Sequence, residues 1–464
     1  MEKPIRMCGA KLFTMMVLFA ALLILAGCGG MYGGGTTAPP ATSGATTMVV
    51  NMSDAPADRV IAFEITVTSI NLFRTDNTMY SALSSPRHVE LTHLAGSTEP
   101  VALPALPQGT YKSATVDLSS PEVIYIDNSG AQVKKELPNA TFSLSIPFNP
   151  NLVVGTSPVV LKFDVDVSSS VTIDPATGNV TVNPVIHVTQ AMVPDVSHED
   201  QEDLDDGQFE HIVGQVTAAS AQSFTINLAG SGTSLTFVTD PSTKIEGASS
   251  TAALPLNSTV RVEGTTQPDG TVRAKEVEVV SMSGSELEGL VVATTGSPVS
   301  SFDVVVQDGN GAGMGTAALG TTKTVTIGTN TRFRADTGDI DLGGLSLPDF
   351  SAASLSKGQR VEAESDNSRI GTNLAADAVK LQSQALVGAI SGASSTQFTL
   401  TVADDSAFKL LTGKSTLTVF TQRNTKLNNG ATITNAAIVK IRGLVFFDSV
   451  SGNFRMVAGR ITTP

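Results

Sequence analysis

From residue 212 to the end of the chain, one pattern of short alternating segments is stated three times. The first copy runs Ile212-Val-Gly214-Gln-Val216, Phe224-Thr-Ile226, Leu235-Thr-Phe-Val238, Thr243-Lys244, Val260-Arg-Val-Glu-Gly264 and Ala274-Lys-Glu-Val277. The second runs Leu287-Glu-Gly289-Leu-Val291, Phe302-Asp-Val304, Thr324-Val-Thr-Ile327, Thr331-Arg332, Val361-Glu-Ala-Glu364 and Ala376-Asp-Ala-Val379. The third runs Leu386-Val-Gly388-Ala-Ile390, Phe398-Thr-Leu400, Leu417-Thr-Val419, Thr425-Lys426, Val439-Lys-Ile-Arg-Gly443 and Arg455-Met-Val-Ala458. Alternation within the segments is the period of a half-buried strand. Order and spacing persist while the turns change length. Each copy spans about 70 to 100 residues, enough to close its own barrel, so the pattern reads as a duplicated domain and not as a solenoid.

Five strands with a glycine at an early bend predict a small Greek-key barrel of the oligosaccharide- and oligonucleotide-binding (OB) type. The chain before the repeats has the same texture. Met48-Val-Val-Asn-Met52, Ile61-Ala-Phe-Glu-Ile-Thr-Val67, Ser113-Ala-Thr-Val-Asp-Leu118, Val159-Val-Leu-Lys-Phe-Asp-Val-Asp-Val167 and Asn179-Val-Thr-Val182 read as strands. Between them lie the turn clusters Asp54-Ala-Pro56, Pro107-Gln-Gly109, Asp127-Asn-Ser-Gly130 and Asp174-Pro-Ala-Thr-Gly178. No stretch here keeps a helical period. Trp is absent and charged residues make up only 16% of the chain, as in proteins built of short strands and tight turns.

Four motifs in order, Asn51-Met-Ser-Asp54-Ala-Pro56, Leu106-Pro-Gln-Gly109-Thr-Tyr111, Phe163-Asp-Val-Asp166 and Asn183-Pro-Val-Ile186, resemble domain of unknown function 4382. That family consists of bacterial and archaeal envelope proteins, often lipoproteins. The resemblance implies a prealbumin-like sandwich over residues 48–193 and transfers no catalytic residue. The three repeats resemble a second family, domain of unknown function 5666.

The N-terminal stretch sets the expected location. Lys3, Arg6 and Lys11 precede an apolar run from Met15 to Ala26, which is the length of a signal-peptide core and short of the ~20 residues a spanning helix needs. The run ends Leu25-Ala26-Gly27-Cys28 and resembles a bacterial lipobox, which implies cleavage before Cys28 and acylation of its thiol. Gly29 to Thr47 holds little but Gly, Thr, Ala, Pro and Ser, a tether. Gly29 stands where an aspartate would resemble an inner-membrane retention signal, so the reading favours the outer membrane, periplasmic or surface-facing. Cys8 lies in the cleaved part and Cys28 is acylated on this reading, so no thiol is left for a disulfide, a metal or a nucleophile.

The net charge is −14, and cleavage would remove three cations and one anion, making the mature chain more acidic still. Such a surface repels phosphate backbones and argues against a nucleic-acid partner. Much of the acidity sits in Asp195–Glu210, where eight of sixteen residues are Asp or Glu. Mutual repulsion makes this a solvated hinge, with a Ca²⁺ site as the sharper alternative.

Catalytic chemistry is sparse. His88, His93, His187, His198 and His211 show no zinc-ligand spacing, and no Gly-x-Ser-x-Gly turn or phosphate cradle is present. Asp164 and Asp166, two apart on one strand face, are the candidate carboxylate pair for a sugar or a cation. Asp336, Asp339 and Asp341 sit in a glycine-bearing stretch, and Asp308-Gly-Asn310-Gly resembles part of a calcium loop; both read as ordinary turns.

The sequence therefore predicts an all-β chain of independent units. Residues 1–27 form a lipoprotein signal peptide, 28–47 a flexible tether, 48–193 a prealbumin-like or immunoglobulin-like sandwich and 194–210 an acidic linker. Residues 211–282, 283–383 and 384–464 form three OB-like barrels. The function read from these features is a non-catalytic cell-envelope lipoprotein, a binding, adhesion or spacer module with no cofactor or metal. Its expected partners are the membrane, through the lipid on Cys28, and an envelope glycan or protein. The alternatives are an envelope-polymer glycoside hydrolase using Asp164 and Asp166, and a calcium-dependent adhesin.

Overall fold

The computed structural model describes residues 45–55, 59–83, 85–94, 99–102, 105–155, 159–174, 177–191, 208–228, 234–267, 272–280, 285–311, 319–338, 340–365, 373–428 and 430–463. Cys28, the predicted signal peptide and most of the acidic stretch lie outside these residues.

The first unit comprises β1 (Ala45–Ala55), β2 (Val60–Arg74), β3 (Met79–Ser81), β4 (Arg87–Glu90), β5 (Glu99–Ala102), β6 (Ala105–Pro107), β7 (Gly109–Ile126), β8 (Gln132–Glu136), β9 (Thr141–Val154) and β10 (Val159–Asp166). A single turn, α1 (Val167–Ser170), leads into β11 (Val171–Ile173), β12 (Val180–Val182) and β13 (Ile186–Ala191). One sheet runs β13-β10-β1-β5 with β6 beside β1; the other runs β3-β2-β7-β8 with β4 beside β2 and β9 beside β7. Alternation does what the sequence predicts. Met48, Val50 and Met52 of β1 and Phe163 and Val165 of β10 meet Phe63, Ile65 and Val67 of β2 and Val116 and Leu118 of β7 in one buried core.

The Pro-x-Gly-x-Tyr piece has a local job. Tyr111 is buried in that core, and its hydroxyl donates to the Pro107 carbonyl at 2.8 Å, which pins the entry into β7. A Cβ on Gly109 would collide with the Arg74 guanidinium lying over it.

The second unit comprises β14 (Gln208–Ala219), β15 (Ser223–Leu228), β16 (Ser234–Val238), β17 (Lys244–Glu246), β18 (Thr259–Thr266) and β19 (Val272–Val280). The third comprises β20 (Ser285–Gly296), β21 (Val299–Gly311), β22 (Thr322–Ala335), β23 (Arg360–Ser365) and β24 (Asn373–Leu381). The fourth comprises β25 (Ser383–Ser391), β26 (Gln397–Val402), α2 (Ala407–Thr412), β27 (Thr416–Asn428), β28 (Ile438–Asp448) and β29 (Asn453–Thr462).

The last two units close as barrels in the order first, second, third, fifth, fourth strand, with the third and fifth parallel. The second unit has the same order, its third strand split into β16 and β17 and its ring closed by the parallel pairing of β16 with β19. The fold is thus all-β, a sandwich followed by three OB-like barrels.

Two recurring residues explain why the repeats survive as they do. The first-strand glycine faces a second-strand carbonyl: a Cβ on Gly214 would lie 2.6 Å from the Asn227 oxygen, and Gly289 and Gly388 are closer still to the carbonyls of Val305 and Thr401. The recurring threonine bridges a break in the third strand, where β16 gives way to β17 and where β22 and β27 slip in register. Thr243, Thr331 and Thr425 donate to the fifth-strand carbonyls of Ala274, Ala376 and Ala458 at 2.8, 2.6 and 2.7 Å. Each also accepts from a backbone N–H, of Asp240, Gly328 and Gln422, at 3.1, 2.9 and 2.8 Å. One hydroxyl thus satisfies two groups that the interrupted ladder leaves over.

The units are not the separate beads that the repeat pattern predicts, because residues 43–464 form one packed body. Leu444, Phe446 and Val457 of the fourth unit belong to the buried cluster of the third. Ile61, Ala62, Ile124 and Ile126 of the sandwich pack with Val305 of the third unit and Ala407 and Leu411 of α2.

Candidate functional site at the seams between units

Among the described residues, those singled out from the sequence do not converge on an active centre; His198 and Asp339 lie outside them. Asp166 ends β10 and caps α1, so the strand stops one residue short of the predicted Val167. Its carboxylate accepts from the Ser168 hydroxyl at 2.7 Å and from the Ser169 hydroxyl and N–H at 2.6 and 2.8 Å. Partial burial pushes its pKa up, but these hydrogen bonds outweigh it and the net shift is downward. A glycosidase acid requires the opposite shift. Asp164 stands across from His187, which is exposed.

Asp308-Gly-Asn310-Gly is neither a turn nor a calcium loop. It lies within β21, with Asp308, Gly309 and Asn310 paired to Glu288, Leu287 and Glu286 of β20. Asp341 does form a turn, accepting from the Gly343 N–H at 2.7 Å, and Asp336 accepts from Gln382 at 3.3 Å. Among the described residues, no three His, Cys, Asp or Glu side chains are grouped to hold a metal ion.

The titratable groups that do converge lie between units. Strand alternation turns Glu362 and Glu364 of β23 outward from their own barrel, and Glu288 and Lys380 stand on either side of Glu362. The second unit then covers this face. Arg261 of β18, 8% exposed, reaches Glu286, Glu362 at 3.5 Å and its own barrel's Glu278 at 3.3 Å. Glu362, only 1% exposed, also holds Lys380 at 2.6 Å and accepts from Gln382 at 2.8 Å. Burial alone would push the Glu362 carboxyl up; Arg261 and Lys380 overcome it and hold it well below the usual range. Glu364, beside it, is pushed up by burial and by its hydrogen bond with Glu362. Every charge here has an opposite partner.

A second seam joins the sandwich to the third and fourth units around a cavity of about 100 Å³. Its wall includes Ile61, Thr92, Gln307, Arg360, Gln384 and Ser406. Gln307 donates to the Ile61 carbonyl at 2.6 Å and to the Thr92 hydroxyl at 3.0 Å, tying β21 to the sandwich. Gln384 accepts from the Arg360 N–H at 2.7 Å and donates to the Gly358 carbonyl at 2.9 Å. Arg360 pairs with Glu288 at 2.9 Å. The space is well below the ~300 Å³ at which sites for drug-sized ligands begin.

Beside this cavity a row of glutamates, Glu90, Glu64, Glu122 and Glu136, crosses β4, β2, β7 and β8. Glu90 accepts from the Phe63 and Thr92 N–H groups, both at 2.9 Å, and from the Thr92 hydroxyl at 2.8 Å. Glu122 pairs with Lys134. Glu64 is 3% exposed; its Oε2 meets His88 Nε2 at 2.8 Å, and its buried Oε1 has no hydrogen-bond partner. Burial pushes its carboxyl up, the hydrogen bond with His88 opposes this, and repulsion from Glu122 and Glu90 adds to the rise.

Fold and seams together define a class: a multi-unit β chain whose buried charges fasten one unit to the next. Within that class, residues 45–184 match the family described as Domain of unknown function (DUF4382), and residues 213–278 match Domain of unknown function (DUF5666). The two matches lie in that order along the chain, the second on the first barrel. No curated protein matches the chain. Among solved structures, drosophila Unr CSD456 shares 10% identity over 55% of this chain and 97% of its own, with a TM-score of 0.13. A multidomain protein with nucleic acid binding domains from Streptococcus pneumoniae TIGR4 shares 10% identity over 53% of this chain and 72% of its own, with a TM-score of 0.12. At such scores neither likeness bears on ligand or activity.

Proposed function

We propose that this chain is a non-catalytic lipoprotein of the bacterial cell envelope, anchored through Cys28, whose sandwich and barrels act as a single rigid binding or spacer module. The observation that carries this reading is the use of buried charge. Arg261 of the second unit is spent on Glu286 and Glu362 of the third, Lys380 backs Glu362 from within the third unit, and all four side chains are buried. The capped, acid-shifted state of Asp166 likewise favours a binding module over a glycoside hydrolase. An envelope glycan or protein is the ligand class proposed, an acidic exported surface being a poor match for nucleic acid. Two or three acyl chains, at about 0.8 kcal/mol per buried methylene, would hold such a module on the outer membrane essentially permanently.

The test has two arms. Radiolabelled palmitate should enter the wild-type chain and not Cys28→Ser, and the purified chain should retain envelope polymer on a column without cleaving it. A wild-type chain that takes up no label, or turnover abolished by Asp164→Ala or Asp166→Ala, would refute the proposal.

A further inference from the structure

Charge is unevenly spread along this chain. Residues 383–464, the fourth unit, carry eight Lys or Arg against three Asp, a net +5 in a chain whose total is −14. Strand register gathers half of those cations on one outer face. Lys426 of β27 pairs with Arg460 of β29, and Arg460 with Arg442 of β28. The next outward row is Asn428, Thr462 and Lys440. Directly paired residues share a sheet face, and Ile441 and Ile461, which lie between the two rows on their strands, point into the barrel core. Strands about 4.8 Å apart, with about 7 Å between alternate residues, make this a patch of roughly 10 by 7 Å. It holds four half-buried cations and no carboxylate. Asp404 and Asp448 of the same unit are paired elsewhere, with Lys409 and Arg455. Thr462, 8% exposed, stands in the middle of its row with a hydroxyl that has no hydrogen-bond partner among the described residues.

The equivalent six positions of the other barrels carry both signs. In the second unit they hold four carboxylates and two cations, in the third two carboxylates and three cations. Arg261 and Glu362 occupy the place that Lys440 has in the fourth unit, and they meet each other across the seam. Those two faces are therefore near balance, each neutralised within itself and by the other. The fourth unit's face carries one sign only, so its complement is a ligand of repeated negative charge and not a folded surface of mixed charge. None of the six positions is aromatic, which leaves no platform for stacked bases. Asn428 and the unpartnered Thr462 hydroxyl suit a ligand that bears hydroxyls beside its charges. We propose that the outer face of β27, β29 and β28 binds an anionic glycan. Its carboxylates or phosphates lie on Lys426, Arg460, Arg442 and Lys440, and a sugar hydroxyl meets Thr462. This rests on the reading of the chain as a binding module and adds the charge class of the ligand and the place where it sits. The acidity of the rest of the chain confines a polyanion to this face.

The full-length chain is titrated with polygalacturonate, a glycan with one carboxylate per sugar, and with uncharged dextran. The wild type should bind the first at low salt, lose affinity steeply as salt rises, and ignore the second. Lys426→Gln with Lys440→Gln should lose about tenfold or more in affinity and flatten the salt dependence. Lys414→Gln, the same kind of charge loss elsewhere in the unit, should change little. Thr462→Val should weaken binding several-fold and leave the salt dependence as it is, the signature of a neutral hydrogen bond. A double variant that melts lower than the wild type yet binds polygalacturonate as tightly would mean that these cations only hold the fold together, and the proposal falls. Tighter binding of a single-stranded oligonucleotide or of anionic lipid vesicles through the same residues would equally refute a glycan ligand. Retention of envelope polymer separates this proposal from the broader reading. A double variant that retains it as the wild type does refutes the face and leaves the binding module standing; a wild type that retains none refutes the module itself.

Discussion

Replacing Arg261 with Leu removes a cation that the second unit places on the third. Three carboxylates lose it: Glu278 remains partly solvated, Glu362 keeps Lys380 and Gln382, and Glu286 is left buried against a hydrocarbon. Breaking a buried ion pair from one side costs about 3–5 kcal/mol. Because Glu362 retains a partner, the lower end, about 3 kcal/mol, is the expected loss. At roughly 1 °C per kcal/mol for a cooperative body of about 420 residues, the corresponding drop in melting temperature is about 3 °C. Thermal unfolding followed by circular dichroism at pH 7 reads it directly. The double variant Arg261→Leu with Glu286→Leu should recover most of the loss, since a pair replaced by hydrocarbon leaves no orphaned charge. A single-variant drop below about 1 kcal/mol, the range of a solvent-exposed pair, would refute the claim that this contact fastens the barrels.

Thr425→Val deletes a hydroxyl that both donates to Ala458 and accepts from Gln422, and should cost about 1–3 kcal/mol in urea unfolding, against a near-neutral Thr→Val on an outer strand face. Tyr111→Phe loses the hydrogen bond to Pro107 and should cost about 1 kcal/mol by the same assay, with the core otherwise intact. Asp166→Ala removes the cap of α1 and should cost about 1 kcal/mol at pH 7. The lowered pKa of Asp166 means its contribution is present above about 3.9 and fades as pH falls through the folded value, so variant and wild type should converge in strong acid when melted at stepped pH.

Local pattern carried the sequence reading a long way. The alternation in Val361-Glu-Ala-Glu364 places Val361 and Ala363 in the barrel and the glutamates outside it, as observed. What no local pattern encodes is that Arg261, 101 residues earlier, comes back to cover Glu362. The same holds for Glu64, outward from the sandwich core yet sealed by Gly320 of another unit. The recurring Thr243, Thr331 and Thr425 were legible as a repeat, whereas their role depends on a break in strand pairing that becomes visible only in register. Asp308-Gly-Asn310-Gly misled because turn residues were weighed by type, and long-range pairing with β20 overrides that preference. Asp164 and Asp166 were placed on one strand face by period two, but the chain turns into a helix at Val167 and spends Asp166 on its cap.

The claim that the β units act as one body is tested most directly by deleting residues 383–464 and melting what remains beside the full chain. That deletion strips Leu444, Phe446 and Val457 from the core of the third unit and α2 from the sandwich. The account predicts that the remaining units melt at least roughly 5 °C lower than they do in the full chain. An unchanged melting temperature would mean that the barrels and the sandwich stand independently, which would contradict it.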